Sequence, residues 1–324
     1  MKFGIISAGK HARNKVMPAI VKAGHEVSAI YSRDIQNAKD IGLKYLSKPY
    51  DDLETFFAGD FESVYISSPN FLHFEHAMKS LSRGKHVLLE KPMTLKNSDA
   101  EELVRTANRK NLNLSVGFHM RFHPAMKIVK EIIRKGDVGK IVFVMGSWAW
   151  QSPMIHEDPR SKWWDDDEKV GGGSVMGSGV HVIDTLNYTT NSLPKRVTSS
   201  RFPKKKVIDI TETVHMDYGK FAGFSLSSRD IRTPDNSLKI FGAEGTVVVN
   251  NFFGTDVKGS VLELNGKKVK SFDSGNMYED EIRAFVAATR GEKTEIADGN
   301  DGLAVVKTVN AAFEGDYIGK WVEL

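Results

Sequence analysis

"FGIISAGKHA", residues 3–12, decides the fold. A short β-branched apolar run stops in a small-residue turn, and a helical pattern follows at once. Ser7, Gly9 and Ala12 stand at the spacing of G-x-G-x-x-G/A. In that turn the middle glycine lets the backbone approach a pyrophosphate, and the following helix N-terminus favours negative charge. Serine replaces the first glycine, so the pattern draws its force from its place at the close of a first strand. On this reading Ser7, Ala8, Gly9, Lys10 and His11 are cofactor-binding candidates; an ordinary βα turn is the alternative.

Outward from this turn the chain alternates. Strand patterns recur at "HEVSAIYS" (25–32), "FESVYISS" (61–68), "KHVLLE" (85–90) and "LNLSVGF" (112–118). Helical patterns separate them, several closing on glycine or a Lys/Arg-rich last turn. Apolar strands alternating with helices predict a doubly wound parallel sheet, hence a Rossmann domain over residues 1–120. After the helix pattern "AMKIVKEIIRKGDVG" the rhythm changes, and strand-like runs follow one another: "KIVFVMGSWAW", "RVTSSRF", "DITETVHMDY", "FAGFSLSSRD", "SLKIFGAEGTVVVNN" and "SVLELNG". In "DITETVHMDY" the alternation puts Ile210, Glu212, Val214 and Met216 on one face and Asp209, Thr211, Thr213 and His215 on the other. Such runs predict a predominantly antiparallel sheet, and residues 121–324 form the expected second, α/β domain, closed by two helices. The run "KKK" (204–206) reads as a solvated strand edge.

At the end of the second strand a carboxylate would grip the ribose 2′-hydroxyl and select NAD. Here the chain reads Tyr31-Ser32-Arg33, with Asp34 one or two positions late. A hydroxyl and a guanidinium suit a 2′-phosphate, so Ser32 and Arg33 favour NADP over NAD.

Composition narrows the remaining classes. A net charge of +4 over 324 residues is too weak for a nucleic-acid partner and compatible with an anionic ligand. Without cysteine there is no disulfide framework, thiolate nucleophile or cysteine metal site. No apolar run approaches the roughly 18 residues of a membrane span, and the start of the chain lacks a secretory pattern, so a cytoplasmic protein is expected. No His/Asp/Glu cluster has metal-ligand spacing.

"SSPNFLHFEHAMKSLSRGKHVLLEKPMT" (67–94) resembles the signature of the Gfo/Idh/MocA oxidoreductase family, in which a "PN-x-x-H" turn precedes a helix and a strand ending in "EKP". "VGFHMRFHP" (116–124), "GDVGKI" (136–141), "GGGSVMGSGVHVID" (171–184), "YEDEIRAFVAATRG" and "DGLAVVKTVNAA" are similar to further family segments in the same order. The resemblance implies a Rossmann domain and a second domain with a large open sheet, through which homodimers or homotetramers pair. It also implies a sugar or polyol substrate, and it assigns roles. Lys91 resembles the active-site lysine; its pKa near ~10.4 when free must fall for acid–base work. Ser67, Ser68, Pro69, Asn70, His73, Glu90 and His119 match positions around the cofactor, and Arg121 matches a cofactor or substrate contact, with an interdomain ion pair as its alternative.

The resemblance of the glycine stretch implies a helix with His181 on its substrate side, where Asp184 either orients it or pairs elsewhere. Gly177 stands where most members carry an aspartate. Trp148, Trp150, Trp163 and Trp164 are candidates for a sugar-facing wall, since aromatic faces pack on sugar C–H surfaces; Tyr278 is a further pocket candidate. The resulting expectation is reversible hydride transfer between nicotinamide and a secondary alcohol or lactol carbon, with Lys91 and His181 carrying the proton. A nucleotide-binding sensor on the same fold is the other reading, raised by Gly177.

Overall fold

The structure, a computed structural model, describes residues 1–152, 161–204 and 206–324; Lys205 of the "KKK" run lies outside the described residues. The chain forms two compact units, residues 1–122 with 276–303 and residues 123–275 with 304–324. Each is described by itself.

In the first unit, strands β1 (Lys2–Ile6), β2 (Glu26–Tyr31), β3 (Lys48–Tyr50), β4 (Ser63–Ile66), β5 (His86–Leu89) and β6 (Leu114–Val116) are parallel, in the order β6-β5-β4-β1-β2-β3. The two-residue strand Ala297–Asp298 adds antiparallel to β6. This is the doubly wound sheet that the strand–helix alternation predicts. β4 and most of β1 and β5 are fully buried, as strands covered on both faces must be. Helices end where their sequences say: Gly24 and Gly84, each just past a helix, have φ of 83° and 73°, the left-handed region that glycine enters without strain.

Residues 276–303, expected in the second domain, belong instead to this unit. The helix Met277–Thr289 lays Tyr278, Ile282, Phe285 and Val286 into the core formed by Phe3, Ile5, Met17 and Ile20. Burying that apolar stripe outweighs its distance along the chain.

The second unit is a nine-stranded sheet. Its strands are β7 (Ile141–Ala149), β8 (Arg196–Phe202), β9 (Thr211–Asp217), β10 (Ala222–Ser228), β11 (Leu238–Gly242), β12 (Thr246–Asn250), β13 (Ser260–Leu264) and β14 (Lys267–Phe272). They run in the order β14-β13-β12-β11-β7-β10-β9-β8, with Val322–Glu323 outside β8. All neighbours are antiparallel except β7 and β10. Within β9 the predicted alternation is present, with Glu212, Val214 and Met216 buried. Asp209 departs from it. The residue precedes β9 and is fully buried, because the chain bends there before the ladder begins. One glycine-rich helix lies on this sheet, seated where Gly146 of β7 leaves room for Val182.

Candidate active site

The turn after β1 is shaped as a phosphate site. Ser7, standing for a glycine, has φ 66°, a left-handed conformation that costs an L-residue roughly 1–2 kcal/mol. Hydrogen bonds hold it there: its N–H donates to Tyr31 O at 3.1 Å, and its carbonyl accepts from Gly9 N at 2.9 Å and from the Ser67 hydroxyl. Ala8 is buried, whereas Gly9 and Lys10 are exposed, and a Cβ on Gly9 would meet nothing within 4 Å. Beyond Gly9 the helix runs to Lys22, with a π-helical stretch at Ala12–Val16. Open space over a glycine at a helix N-terminus fits a pyrophosphate. At the ribose position, Asp34 is spent as a helix cap, accepting from Gln36 N at 3.0 Å and Asn37 N at 3.4 Å. Ser32 Oγ accepts from Asp34 N and Asn37 Nδ2, both at 3.3 Å, and Arg33 is exposed. At the end of β2 a guanidinium is thus exposed beside a hydroxyl, and the Asp34 carboxylate is already engaged.

Lys91 follows β5 at the carboxyl edge of the same parallel sheet. A cis peptide joins it to Pro92. Burial lowers the pKa of its ammonium, and the neighbouring Glu90 pulls the other way. Glu90 Oε1 accepts from Tyr65 OH at 2.7 Å and lies 3.5 Å from His11 Nε2. Burial alone would raise this carboxyl, but His11, Lys91 and the Tyr65 hydroxyl outweigh it and hold it down to about 2. Tyr65, raised by burial and then by Glu90, keeps its proton and donates. The Tyr65 contribution was not legible in sequence, where the residue reads as one more member of a buried strand.

Around this charge pair lie aromatic and imidazole rings. His119 stacks on Tyr278 at 4.7 Å and 23°, and His11 meets the same ring edge-on at 5.4 Å. Burial, then the charge of His11, lowers His119 to about 3, so its ring is neutral at physiological pH. His73 is 1% exposed, with Nδ1 2.7 Å from Pro92 O and Nε2 2.8 Å from Ser68 O. It ties the turn after Lys91 to the turn before the short helical segment that Asn70 opens. Ser68 Oγ in turn meets His76 Nδ1 at 2.9 Å; Pro69 is part-exposed and Asn70 buried. Arg121 is buried and pairs with Asp301 at 3.0 Å, inside this unit.

In the second unit, "GGGSVMGSGVHVID" forms a helix from Ser174, with a π-helical stretch at Val175–Gly179 leading into Val180–Thr190. Such stretches gather at functional sites. A Cβ on Gly177 would stand 3.0 Å from Trp150 Cη2, so this position faces an indole. His181 is 1% exposed and packs on Trp148 at 5.0 Å; Asp184 is equally buried. Trp150 is part-exposed at the end of β7, and Trp163 and Trp164 pack on each other at 4.5 Å, also part-exposed. Among the described residues no group of His, Cys, Asp and Glu could hold a metal, and no helix is long and apolar enough to cross a membrane.

Residues 1–118 match the oxidoreductase family with an NAD-binding Rossmann fold, and residues 126–248 match the GFO/IDH/MocA C-terminal domain. The chain is 26% identical to a D-xylose 1-dehydrogenase (NADP(+)) of Haloferax volcanii, with 100% of both chains covered. It is 26% identical to a 1,5-anhydro-D-fructose reductase of Ensifer adhaerens, covering 100% of this chain and 98% of that one. Its fold is shared with an aldose-aldose oxidoreductase of Caulobacter crescentus, at a TM-score of 0.88, 19% identity and coverage of 100% and 99%. The chain belongs to the GFO/IDH/MocA family of NAD(P)-dependent oxidoreductases.

Proposed function

We propose that this protein exchanges a hydride between nicotinamide and a secondary alcohol or lactol carbon of a sugar or polyol, with Lys91 and His181 handling the hydroxyl proton. The observation that carries the reading is the placement of Lys91. It leaves β5 at the sheet edge from which the Ser7–Gly9 turn leaves β1, where α/β folds bind ligands. Burial lowers its pKa there, as a proton carrier near neutrality requires. The bound nicotinamide supplies the hydride acceptor or donor. Lys91 in its neutral form takes the hydroxyl proton during oxidation and returns it during reduction, while Glu90, held ionised, limits how far that pKa falls. His181 shares the proton or orients the hydroxyl. Trp150, Trp164, Arg121 and Tyr278 are the proposed substrate contacts.

Ser32 and Arg33 make NADP the preferred cofactor, in keeping with the name of the Haloferax relative. Nothing in the comparisons favours the sensor. Part-exposed Phe143, Phe224 and Phe241 on the open face of the second unit's sheet support a homo-oligomer formed through that face.

The test is Lys91→Ala assayed against aldoses and polyols. Turnover should fall about 10²–10⁴-fold, the usual worth of a general acid–base group, with nucleotide affinity nearly unchanged. An active Lys91→Ala enzyme overturns the assignment. The pH profile gives a second check. Because burial lowers the Lys91 pKa, the rising limb of the oxidation rate should lie below the ~10.4 of free lysine.

A further inference from the structure

We propose that Asp209 is a positioning residue for the reaction, acting through the glycine-rich helix to aim His181; the inference rests on the role given to His181 above. Asp209 is fully buried and its carboxylate is committed to the start of that helix. Oδ1 accepts from Gly173 N at 2.7 Å, and Oδ2 accepts from Val175 N at 3.1 Å and from the Ser174 hydroxyl. The Asp209 carbonyl accepts from Ser174 N at 3.0 Å. Successive backbone N–H groups of the first turn, which no helix can satisfy internally, thus all end on one residue from a distant part of the chain.

This helix needs such an anchor more than most. Glycines at 177 and 179 each cost about 1 kcal/mol against alanine, and the π-helical stretch at Val175–Gly179 loosens the regular hydrogen bonding. No side chain of its own caps it. Gly173 is shaped for the contact, since a Cβ there would stand 1.8 Å from Asp209 O. A carboxylate at a helix N-terminus also complements the macrodipole. His181 lies six residues beyond Val175, less than two turns along the same helix. Movement at the anchor is therefore transmitted to its ring.

The groups around Asp209 fit this static role. Glu212 on β9 is fully buried, and neither of its carboxyl oxygens has a hydrogen-bond partner among the described residues. Burial and then the charge of Asp209 push the Glu212 carboxyl well above the usual range, against the pull of Arg201. Arg201 is itself paired with Asp316 at 3.4 Å. Asp209 is the carboxylate of this cluster that the helix start engages.

A double-mutant cycle between Asp209→Asn and His181→Asn tests the proposal. Asparagine keeps the shape but turns one acceptor into a donor facing the helix N–H groups. The expected result is a kcat lower by about 10²-fold, the scale of an ångström's misplacement, with nucleotide Kd unchanged. In the His181→Asn background the same substitution should cost almost nothing, because the two residues act as one unit. Should Asp209→Asn fail to fold, Ser174→Ala removes one of the anchoring bonds and runs the same cycle with a smaller first step. An anchor variant that lowers the melting temperature but keeps wild-type kcat overturns the proposal, as does a kcat loss that multiplies undiminished onto His181→Asn. If His181→Asn itself turns over like wild type, the role of His181 fails, and the inference with it; that outcome is read from the single variant alone.

Discussion

At Gly9 an added Cβ would meet nothing within 4 Å, whereas at Gly173 it would stand 1.8 Å from a carbonyl oxygen. Each of these glycines stands at the opening of a helix, the first in a small-residue turn and the second in a glycine-rich stretch. The first leaves open space beside it. The second gives its space to the protein itself: Asp209 at Gly173, Trp150 at Gly177, and Val175 with Ser227 at Gly179. Glycine at a helix start therefore has two distinct physical settings here, and substitutions in the two segments should fail in different ways.

The largest effect is expected at Gly173→Ala. The methyl group has backbone on the other side, which cannot rotate away, so a loss of about 4 kcal/mol or more is the expected result. Thermal unfolding or soluble yield measures it, and a variant that melts with wild type breaks the comparison at its strongest point. Gly9→Ala should do the opposite. Its methyl enters open space, so the melting temperature should hold, but it stands where the pyrophosphate must approach. Nucleotide affinity should fall about 30-fold, or roughly 2 kcal/mol, by fluorescence titration. Unchanged affinity would mean that the opening over Gly9 is not the phosphate site.

The same contrast explains what the sequence could disclose. The first unit's sheet is legible because its signals are local: apolar strands, glycines just past helix ends, a small-residue turn after β1. The pairings that site residues make with chain-distant partners were not. Glu90 meets Tyr65 from the neighbouring strand and His11 from the helix after β1, and neither pairing leaves a mark at fixed spacing. Asp209 reads as an outward position by alternation, and only the bend before β9 turns it inward. β14, "KKVKSF", escaped for a physical reason of its own. It is an edge strand with its residues largely exposed, so it has lysines where an apolar alternation would be sought. The return of residues 276–303 to the first unit is likewise a packing decision, made by Phe285 and Ile282 against Phe3 and Ile20.

Arg33→Ala sharpens the open side of the comparison. If the end of β2 is free for a ligand, as Gly9 is, the exposed guanidinium should matter to binding and not to folding. The NADP-to-NAD preference should drop about fivefold to tenfold, near 1 kcal/mol, with stability unchanged. Steady-state KM ratios for the two cofactors decide it, and an unaltered ratio removes the 2′-phosphate argument.

Gly177→Ala is the intermediate case, between the open glycine and the closed one. Its Cβ would lie 3.0 Å from the indole of Trp150, tight but against a part-exposed ring that can yield a few tenths of an ångström. Alanine also gains about 1 kcal/mol over glycine within a helix, so the two terms oppose and the net change should stay within about 1 kcal/mol. What should move is the ring. If Trp150 forms part of the substrate wall, the sugar KM rises while nucleotide binding holds, and Gly177→Asp exaggerates the same change. Replacing Trp150 by the smaller leucine should then make the alanine harmless to KM, because nothing is left to displace. A KM equally sensitive to Gly177→Ala in both backgrounds would show that position 177 acts on substrate directly, as an open glycine like Gly9 would.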